Sequence, residues 1–154
     1  MSRKSILLAV GVLTSILSTT LLTGLQEASA DDWPQWRGPE RDGVWRETGI
    51  IQEFESDQIE HKWRAEISNG YSSPTVANGR VYLMDRIADP DNLERVLCFD
   101  EETGEQLWHH QYESKYVVSY PDGPRAAVTI NDGRAYSLGT MGHFRCLDAE
   151  TGKV

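Results

Sequence analysis

The chain has 154 residues, of which 15 are basic and 24 are acidic, and its formal net charge is −9. This acidic balance argues against nucleic-acid binding, because nucleic-acid-binding proteins need clustered positive charge. The sequence contains no Gly-x-Ser-x-Gly, His-Glu-x-x-His or phosphate-binding-loop motif, so these common signatures of catalytic sites are missing from it.

The N-terminus has the pattern of an export signal. Arg3 and Lys4 precede an uncharged run from Ser5 to Gln26, and Ala28-Ser29-Ala30 follows. Small residues at positions −3 and −1 are typical of signal-peptidase sites. We predict that residues 1–30 are a signal peptide cleaved after Ala30, and that the protein is periplasmic or secreted. The alternative is a retained membrane anchor, because the run approaches the length of a spanning helix; only then do we expect contact with a membrane.

Residues 31–58 are predicted to form a lead-in segment. Its two tryptophans and two arginines either line a binding surface or pin the segment to the folded domain, and pinning is the interpretation that we favour for tryptophans near the start of a domain. These residues are Trp33, Trp36, Arg37 and Arg41. From Ile59 to Ile67 we predict an incoming strand that belongs to a neighbouring unit.

A strand–turn–strand pattern then occurs twice. Asn78-Gly79 and Asp132-Gly133 accept positive φ at low cost, so each pair predicts a tight hairpin turn. β-branched and aromatic residues flank the turns and favour half-buried strands. The copies are 54 residues apart and align Thr75, Val76, Asn78, Gly79, Arg80 and Tyr82 with Thr129, Ile130, Asp132, Gly133, Arg134 and Tyr136.

A second motif also occurs twice, at Cys98–Trp108 and Cys146–Val154, with an offset of 48 residues. An aspartate in each copy can accept hydrogen bonds from backbone N–H groups, and a glycine can close the turn in the left-handed conformation. Asp100, Thr103 and Gly104 of the first copy correspond to Asp148, Thr151 and Gly152 of the second. The shorter offset indicates an insertion in the first copy, within Ile87 to Glu94.

Trp108 follows the first of these turns on an outgoing strand. We expect it to be largely buried between two sheets, because a large flat side chain packs well there. Its indole N–H is predicted to bond a backbone group, with the ring against the strand after Gly133 or the loop at Gly123-Pro124. The corresponding tryptophan of the second copy would fall two residues past Val154.

Four strands and two tight turns per unit predict an all-β fold, namely a β-propeller of four-stranded antiparallel blades. A propeller closes with about 4 to 8 blades. We therefore interpret residues 59–154 as a partial propeller of about two blades that stops within a blade.

The run Asp-x-x-Thr-Gly-x-x-x-Trp, with Gly79-Arg80-Val81-Tyr82 upstream, resembles the pyrroloquinoline-quinone (PQQ) repeat of quinoprotein dehydrogenases and related propellers. The likeness covers Trp63 to Val154. The run from Asp32 to Gly43 resembles the start of secreted bacterial PQQ-like repeat proteins. The resemblance implies eight blades in the full protein.

The family's usual alanine at the start of the motif is replaced by Cys98 and Cys146. We interpret both as small buried residues. We expect no disulfide between them, because equivalent positions in packed sheets lie about 10 Å apart, beyond the Cα separation of about 7 Å that a bridge tolerates.

Two function classes are compatible with the resemblance. One is a non-catalytic extracytoplasmic scaffold that binds a protein partner, similar to the propeller subunit of the outer-membrane assembly machinery. The other is a PQQ-dependent alcohol dehydrogenase, which would place PQQ and calcium on the propeller axis. We favour the scaffold, because the sequence identifies no catalytic, cofactor-binding or metal-ligating residue.

The histidines and the acidic insertion support this preference. His109 and His110 are neighbours on a predicted strand, so their side chains point to opposite faces. The insertion carries Asp89, Asp91, Asn92 and Glu94 but lacks the central glycine and regular spacing of an EF-hand. We interpret it as a solvated hairpin extension.

Overall fold

The computed structural model of the protein describes residues 30–50, 52–54 and 56–154. The predicted signal-peptide residues 1–29, including Ala28, lie outside these residues, and Ala30 is exposed at their start. Within the described ranges there is no helix long and apolar enough to cross a membrane.

Seven antiparallel strands form two sheets in the described part of the chain, which is all-β as predicted. The first sheet has four strands in chain order and the second has three, also in chain order. The first comprises β1 (Thr75–Ala77), β2 (Arg80–Ile87), β3 (Leu93–Asp100) and β4 (Gln106–Glu113), and the second comprises β5 (Thr129–Asn131), β6 (Arg134–Leu138) and β7 (Phe144–Asp148). These sheets are consistent with part of a β-propeller built from PQQ-like repeats.

The predicted hairpin turns are confirmed. Asn78 and Gly79 have φ values of 53° and 72° between β1 and β2, and Asp132 and Gly133 have 46° and 71° between β5 and β6. Positive φ at both central positions gives the turn a twist that matches the flanking strands. Gly104, with φ of 73°, closes the turn between β3 and β4.

The predicted insertion lies in the β2–β3 hairpin. In the first sheet this hairpin is paired out to Ile87 and Leu93, whereas the corresponding hairpin of the second sheet ends at Leu138 and Phe144. The extra residues therefore lengthen β2 and β3, and the turns on either side of these strands still correspond to those of the second sheet.

The main core lies between the two sheets. Side chains of alternate residues on β2 and β3 meet side chains of β5 to β7 and their flanking turns, because alternation places one face of each strand inward. The buried cluster consists of Ala77, Tyr82, Met84, Val96, Cys98, Val128, Ile130, Ala135, Leu147 and Ala149, with Trp108 packed against it.

The opposite face of the first sheet carries a smaller cluster of Leu83, Leu97 and Phe99. Ala65 packs on this cluster, so the segment before the first repeat covers the face of the sheet. The prediction of a strand from Ile59 to Ile67 is wrong: no strand is assigned there, because the segment crosses a sheet face and does not pair along an edge. Its continuation makes a single isolated bridge, between Asn69 and Arg86.

Candidate functional site

Asp100 organises the turn between β3 and β4. Its Oδ1 accepts the Thr103 N–H at 2.8 Å, the Glu102 N–H at 3.0 Å and the Thr103 hydroxyl at 2.9 Å. These bonds, chiefly that from the Thr103 N–H, lower the pKa of Asp100. A carboxylate committed to three donors of its own turn stabilises the turn, and we assign Asp100 no other role.

Asp148 repeats this arrangement after β7. Its Oδ1 accepts the Thr151 N–H and hydroxyl, both at 2.8 Å, and the Glu150 N–H at 3.2 Å. The bonds from Thr151 lower the pKa of Asp148. Gly152 then adopts a φ of 70°, close to the 73° of Gly104. The two turns are therefore the same structural unit.

Trp108 docks on the turn of the following repeat. Its indole N–H donates to the Ala149 carbonyl at 3.2 Å, and its ring lies against Gly152. The predicted backbone partner is confirmed, and the ring also packs against the main buried cluster, which includes Ala135 of the strand after Gly133. The ring is half-buried because it sits over a turn at the end of the sheet.

Trp63 makes the same contact one repeat earlier. Its indole N–H donates to the Glu101 carbonyl at 2.7 Å, and its ring lies against Gly104. This docking role is not predicted from the sequence, because the segment around Trp63 lacks the turn motif. The 45-residue spacing between Trp63 and Trp108, close to the repeat offset, was the available signal.

Tyr82 and Tyr136 occupy equivalent positions but make different contacts. The buried Tyr82 hydroxyl donates to the Ala149 carbonyl at 3.2 Å, the same oxygen that accepts the Trp108 indole. Burial, as the main cause, raises the pKa of Tyr82. Tyr136 is half-buried and stacks on Phe144, with ring centroids 6.1 Å apart.

Glu94 is a buried carboxylate in the insertion. It accepts hydrogen bonds from the Tyr112 hydroxyl at 2.8 Å, the Tyr116 hydroxyl at 2.9 Å and the Thr140 N–H at 3.1 Å. Burial alone would raise the pKa of Glu94, but these hydrogen bonds outweigh burial and lower it. The interpretation of the whole insertion as solvated is therefore wrong for Glu94, which links β3 to the β6–β7 loop.

Arg86 is buried beside this cluster and anchors the long connection between β4 and β5. Its guanidinium pairs with Asp122 and donates to the Asn92 side-chain oxygen at 3.1 Å and to the Tyr116 carbonyl at 3.0 Å. Its Cζ lies 3.7 Å from the centroid of the Tyr116 ring. The connection is thus held to the first sheet by a fixed, buried cation.

The same connection and the loop before β1 together present an exposed aromatic surface, formed by Tyr120 and Arg125 of the connection and Tyr71 of the loop. The two tyrosine rings are 6.4 Å apart in an edge-on arrangement and are 52% and 49% exposed. The Arg125 guanidinium donates to the Tyr120 hydroxyl, and its Cζ lies 5.8 Å from the Tyr71 ring and 5.0 Å from the Tyr120 ring. We name this group the Tyr71–Arg125 surface.

The base of the Tyr71–Arg125 surface is tightly packed. The Tyr71 N–H donates to the Pro124 carbonyl at 2.8 Å. A Cβ added to Gly123 would lie 2.6 Å from the Gly70 Cα, so the two loops touch backbone to backbone. This surface is not predicted from the sequence, although Tyr71 and Arg125 are 54 residues apart and therefore occupy equivalent positions in the two repeats.

A protein-family model described as outer membrane protein assembly factor BamB matches residues 51–154. The match covers both docking tryptophans and both aspartate turns. The chain belongs to this PQQ-repeat family. No individual curated protein matches the chain.

The PQQ repeats are preceded by a segment whose two tryptophans have different roles. Trp33 pins the segment: it pairs with Val76 through two backbone hydrogen bonds, and its ring lies against Gly38. Trp36 is 69% exposed, so the pinning interpretation does not hold for its side chain. Arg37 and Arg41 lie on the same loop as Trp36 and are also exposed.

The two cysteines and the two neighbouring histidines lie on strands of the two sheets. Cys98 and Cys146 are free thiols. Cys98 is buried as predicted, and burial raises its pKa to about 12, whereas Cys146 is only partly buried, so the prediction is wrong for Cys146. His109 is exposed, whereas His110 is half-buried, and burial is the main cause that lowers its pKa. Among the residues that the structure describes, no group of three or more His, Cys, Asp or Glu could hold a metal ion.

Proposed function

We propose that the protein is a non-catalytic, extracytoplasmic scaffold that binds another protein through the Tyr71–Arg125 surface. One observation carries this proposal: two tyrosines, each about half exposed, flank a guanidinium on loops with a rigid base. Tyrosine and arginine are enriched among the residues that contribute most to protein–protein binding. The proposal assigns neither PQQ nor calcium to the chain.

The geometry favours a particular kind of contact. The rings offer broad apolar area at low entropic cost, because a tyrosine has only two side-chain torsions to fix. Arg125 adds a donor for a carboxylate or carbonyl of the partner. The buried Arg86–Asp122 pair keeps the connection in place, so little ordering should be needed on binding.

The family match supports a role in the cell envelope. The matching model is described as an outer membrane protein assembly factor, and the N-terminal sequence predicts export. We propose the division foreseen from sequence: a signal peptide at 1–30, a lead-in segment at 31–58 and repeats from 59 onward.

Site-specific photo-crosslinking in intact cells tests the proposal. A photoreactive residue at Tyr120 should give one defined protein adduct, and Arg125→Glu should remove it. The same residue at His109, which is exposed on β4 and is not part of the Tyr71–Arg125 surface, should give no such adduct. Arg134→Glu serves as the charge-matched control. Identical adducts from both positions, or an adduct that survives Arg125→Glu, would overturn the proposal.

A further inference from the structure

The loop from Gln35 to Gly43, which we call the arginine loop, is seated on the first strands of both sheets. Just before it, the Trp33 N–H donates to the Val76 carbonyl at 2.8 Å and the Val76 N–H donates back at 3.1 Å. The Ile130 N–H donates to the Pro34 carbonyl at 2.8 Å. The loop therefore has a fixed base in each sheet, the support that a binding site needs.

Internal hydrogen bonds fix the loop in an unusual conformation. The Gly38 N–H donates to the Gln35 carbonyl, and the Gly43 N–H donates to the Arg37 carbonyl, at 3.0 and 2.9 Å. Arg37 and Arg41 have φ values of 67° and 57°. Non-glycine residues are uncommon in this left-handed region. Such strain is concentrated at functional sites.

Both guanidiniums are oriented by one bond and keep the rest of their donors free of protein partners in the described ranges. Arg37 Nη2 donates to the Asp42 carbonyl at 3.1 Å, and Arg41 Nε donates to Gln35 Oε1 at 2.9 Å. Neither arginine forms an ion pair within residues 30–50, 52–54 and 56–154, whereas the nearby Arg46 pairs with Asp42. Two oriented cations are left beside an exposed indole.

These side chains surround an open cleft of about 410 Å³, lined by Gln35, Trp36, Arg37, Arg41 and Thr129. Arg37 Cζ lies 5.9 Å from the centroid of the Trp36 ring. The planar fork of an arginine matches a carboxylate with two parallel hydrogen bonds. An adjacent indole contributes the apolar area that dominates binding at protein surfaces.

We infer that the arginine loop is a second binding site, and that it receives an acidic segment of a partner protein. Arg37 and Arg41 hold a glutamate or aspartate carboxylate, and Trp36 packs on the neighbouring part of that segment. The protein nature of the occupant rests on the proposed scaffold function, but the site is separate from the Tyr71–Arg125 surface. The chain has a net charge of −9 and the loop also carries Glu40 and Asp42, of which Asp42 is paired with Arg46, so attraction of an acidic segment must be local to the guanidiniums of Arg37 and Arg41.

Fluorescence anisotropy tests the inference directly. The probe is a labelled 12-residue peptide of alternating glutamate and glycine, compared with the same peptide carrying glutamine, added to the full chain. We expect the glutamate peptide to bind at least about tenfold more tightly. Arg37→Gln with Arg41→Gln should raise its Kd at least about tenfold, while Arg134→Gln should change it less than about twofold.

The outcomes separate this site from the proposed function. Equal binding of both peptides, or equal effects of the paired variant and Arg134→Gln, would overturn the site. Free glutamate that binds as tightly as the peptide would overturn the assignment to a protein segment. Glutamate-specific binding together with a failed crosslink at Tyr120 would support this site and count against the Tyr71–Arg125 surface.

Discussion

The Trp108 ring lies so close to Gly152 that a Cβ added to this glycine would be 2.5 Å from the indole. Trp63 has the same relationship with Gly104, again at 2.5 Å. Each turn therefore has two requirements for glycine: a positive φ and room for the preceding tryptophan. Because both contacts cross from one repeat to the next, they fix the spacing of neighbouring repeats.

Alanine at Gly104 should be much more costly than alanine at Gly79. The two glycines have nearly equal φ, 73° and 72°, but nothing lies within 4 Å of a Cβ at Gly79. Gly79→Ala should cost about 1 kcal/mol from the left-handed conformation alone. Gly104→Ala should cost about 1 to 3 kcal/mol more, because it displaces Trp63. Urea unfolding followed by tryptophan fluorescence measures both; equal costs would contradict docking of Trp63.

Truncation of Trp108 should have a large effect on stability. Trp108→Ala removes a packed ring and the bond to Ala149, so we expect a loss of about 3 kcal/mol in the free energy of unfolding. Trp36→Ala, at an exposed position, should stay within about 0.5 kcal/mol of the parent. Urea midpoints compare the variants, and a Trp108→Ala midpoint as close to the parent as that of Trp36→Ala would argue against the docking role.

The two repeats could be predicted from sequence because their signals are local. Asn78-Gly79, Asp132-Gly133 and Gly104 each require a particular turn conformation, and a turn fixes the two strands beside it. The repeat offset then placed the insertion in the correct hairpin. The turns, the strands beside them and the insertion can be predicted without knowing the tertiary packing.

The contacts between repeats were less predictable, since they depend on non-local packing. Trp63 docks like Trp108 without its surrounding motif, and the segment from Ile59 to Ile67 covers a sheet face although its composition permits a strand. Glu94 is buried because Tyr112 and Tyr116 approach it from distant positions in the chain. Nothing in the acidic sequence of the insertion indicates those partners.

Glu94 should make stability depend on pH. Its pKa in the folded state lies below the ordinary value of 4.5, so the ionised form is favoured by folding. Its contribution is therefore present above pH 4.5 and is lost as the pH falls through the folded-state pKa. Glu94→Gln should reduce the loss of stability between neutral and acidic pH, whereas the other carboxylates affect both proteins alike.

Glu94→Ala provides the companion measurement at neutral pH. It leaves the Tyr112 hydroxyl and the Thr140 N–H without their acceptor, whereas the Tyr116 hydroxyl can still donate to Thr140 Oγ1 at 3.0 Å. Each unsatisfied buried group costs about 1 to 3 kcal/mol, so this variant should be less stable than Glu94→Gln at pH 7. A pH profile of unfolding that is the same for the parent and Glu94→Gln would contradict the assigned role.

Contact between the Trp108 indole and Gly152 of the next repeat joins the two repeats. A double-mutant cycle tests this contact most directly. The free energy of unfolding is measured for the parent, Trp108→Ala, Gly152→Ala and the double variant, with Gly133→Ala as the control glycine. Gly133 has a φ of 71° and nothing within 4 Å of an added Cβ. We predict that Trp108 and Gly152 are coupled by at least about 1 kcal/mol, because removal of the ring relieves the clash, while Trp108 and Gly133 are additive. Additivity within about 0.5 kcal/mol for Trp108 and Gly152 would contradict the claim.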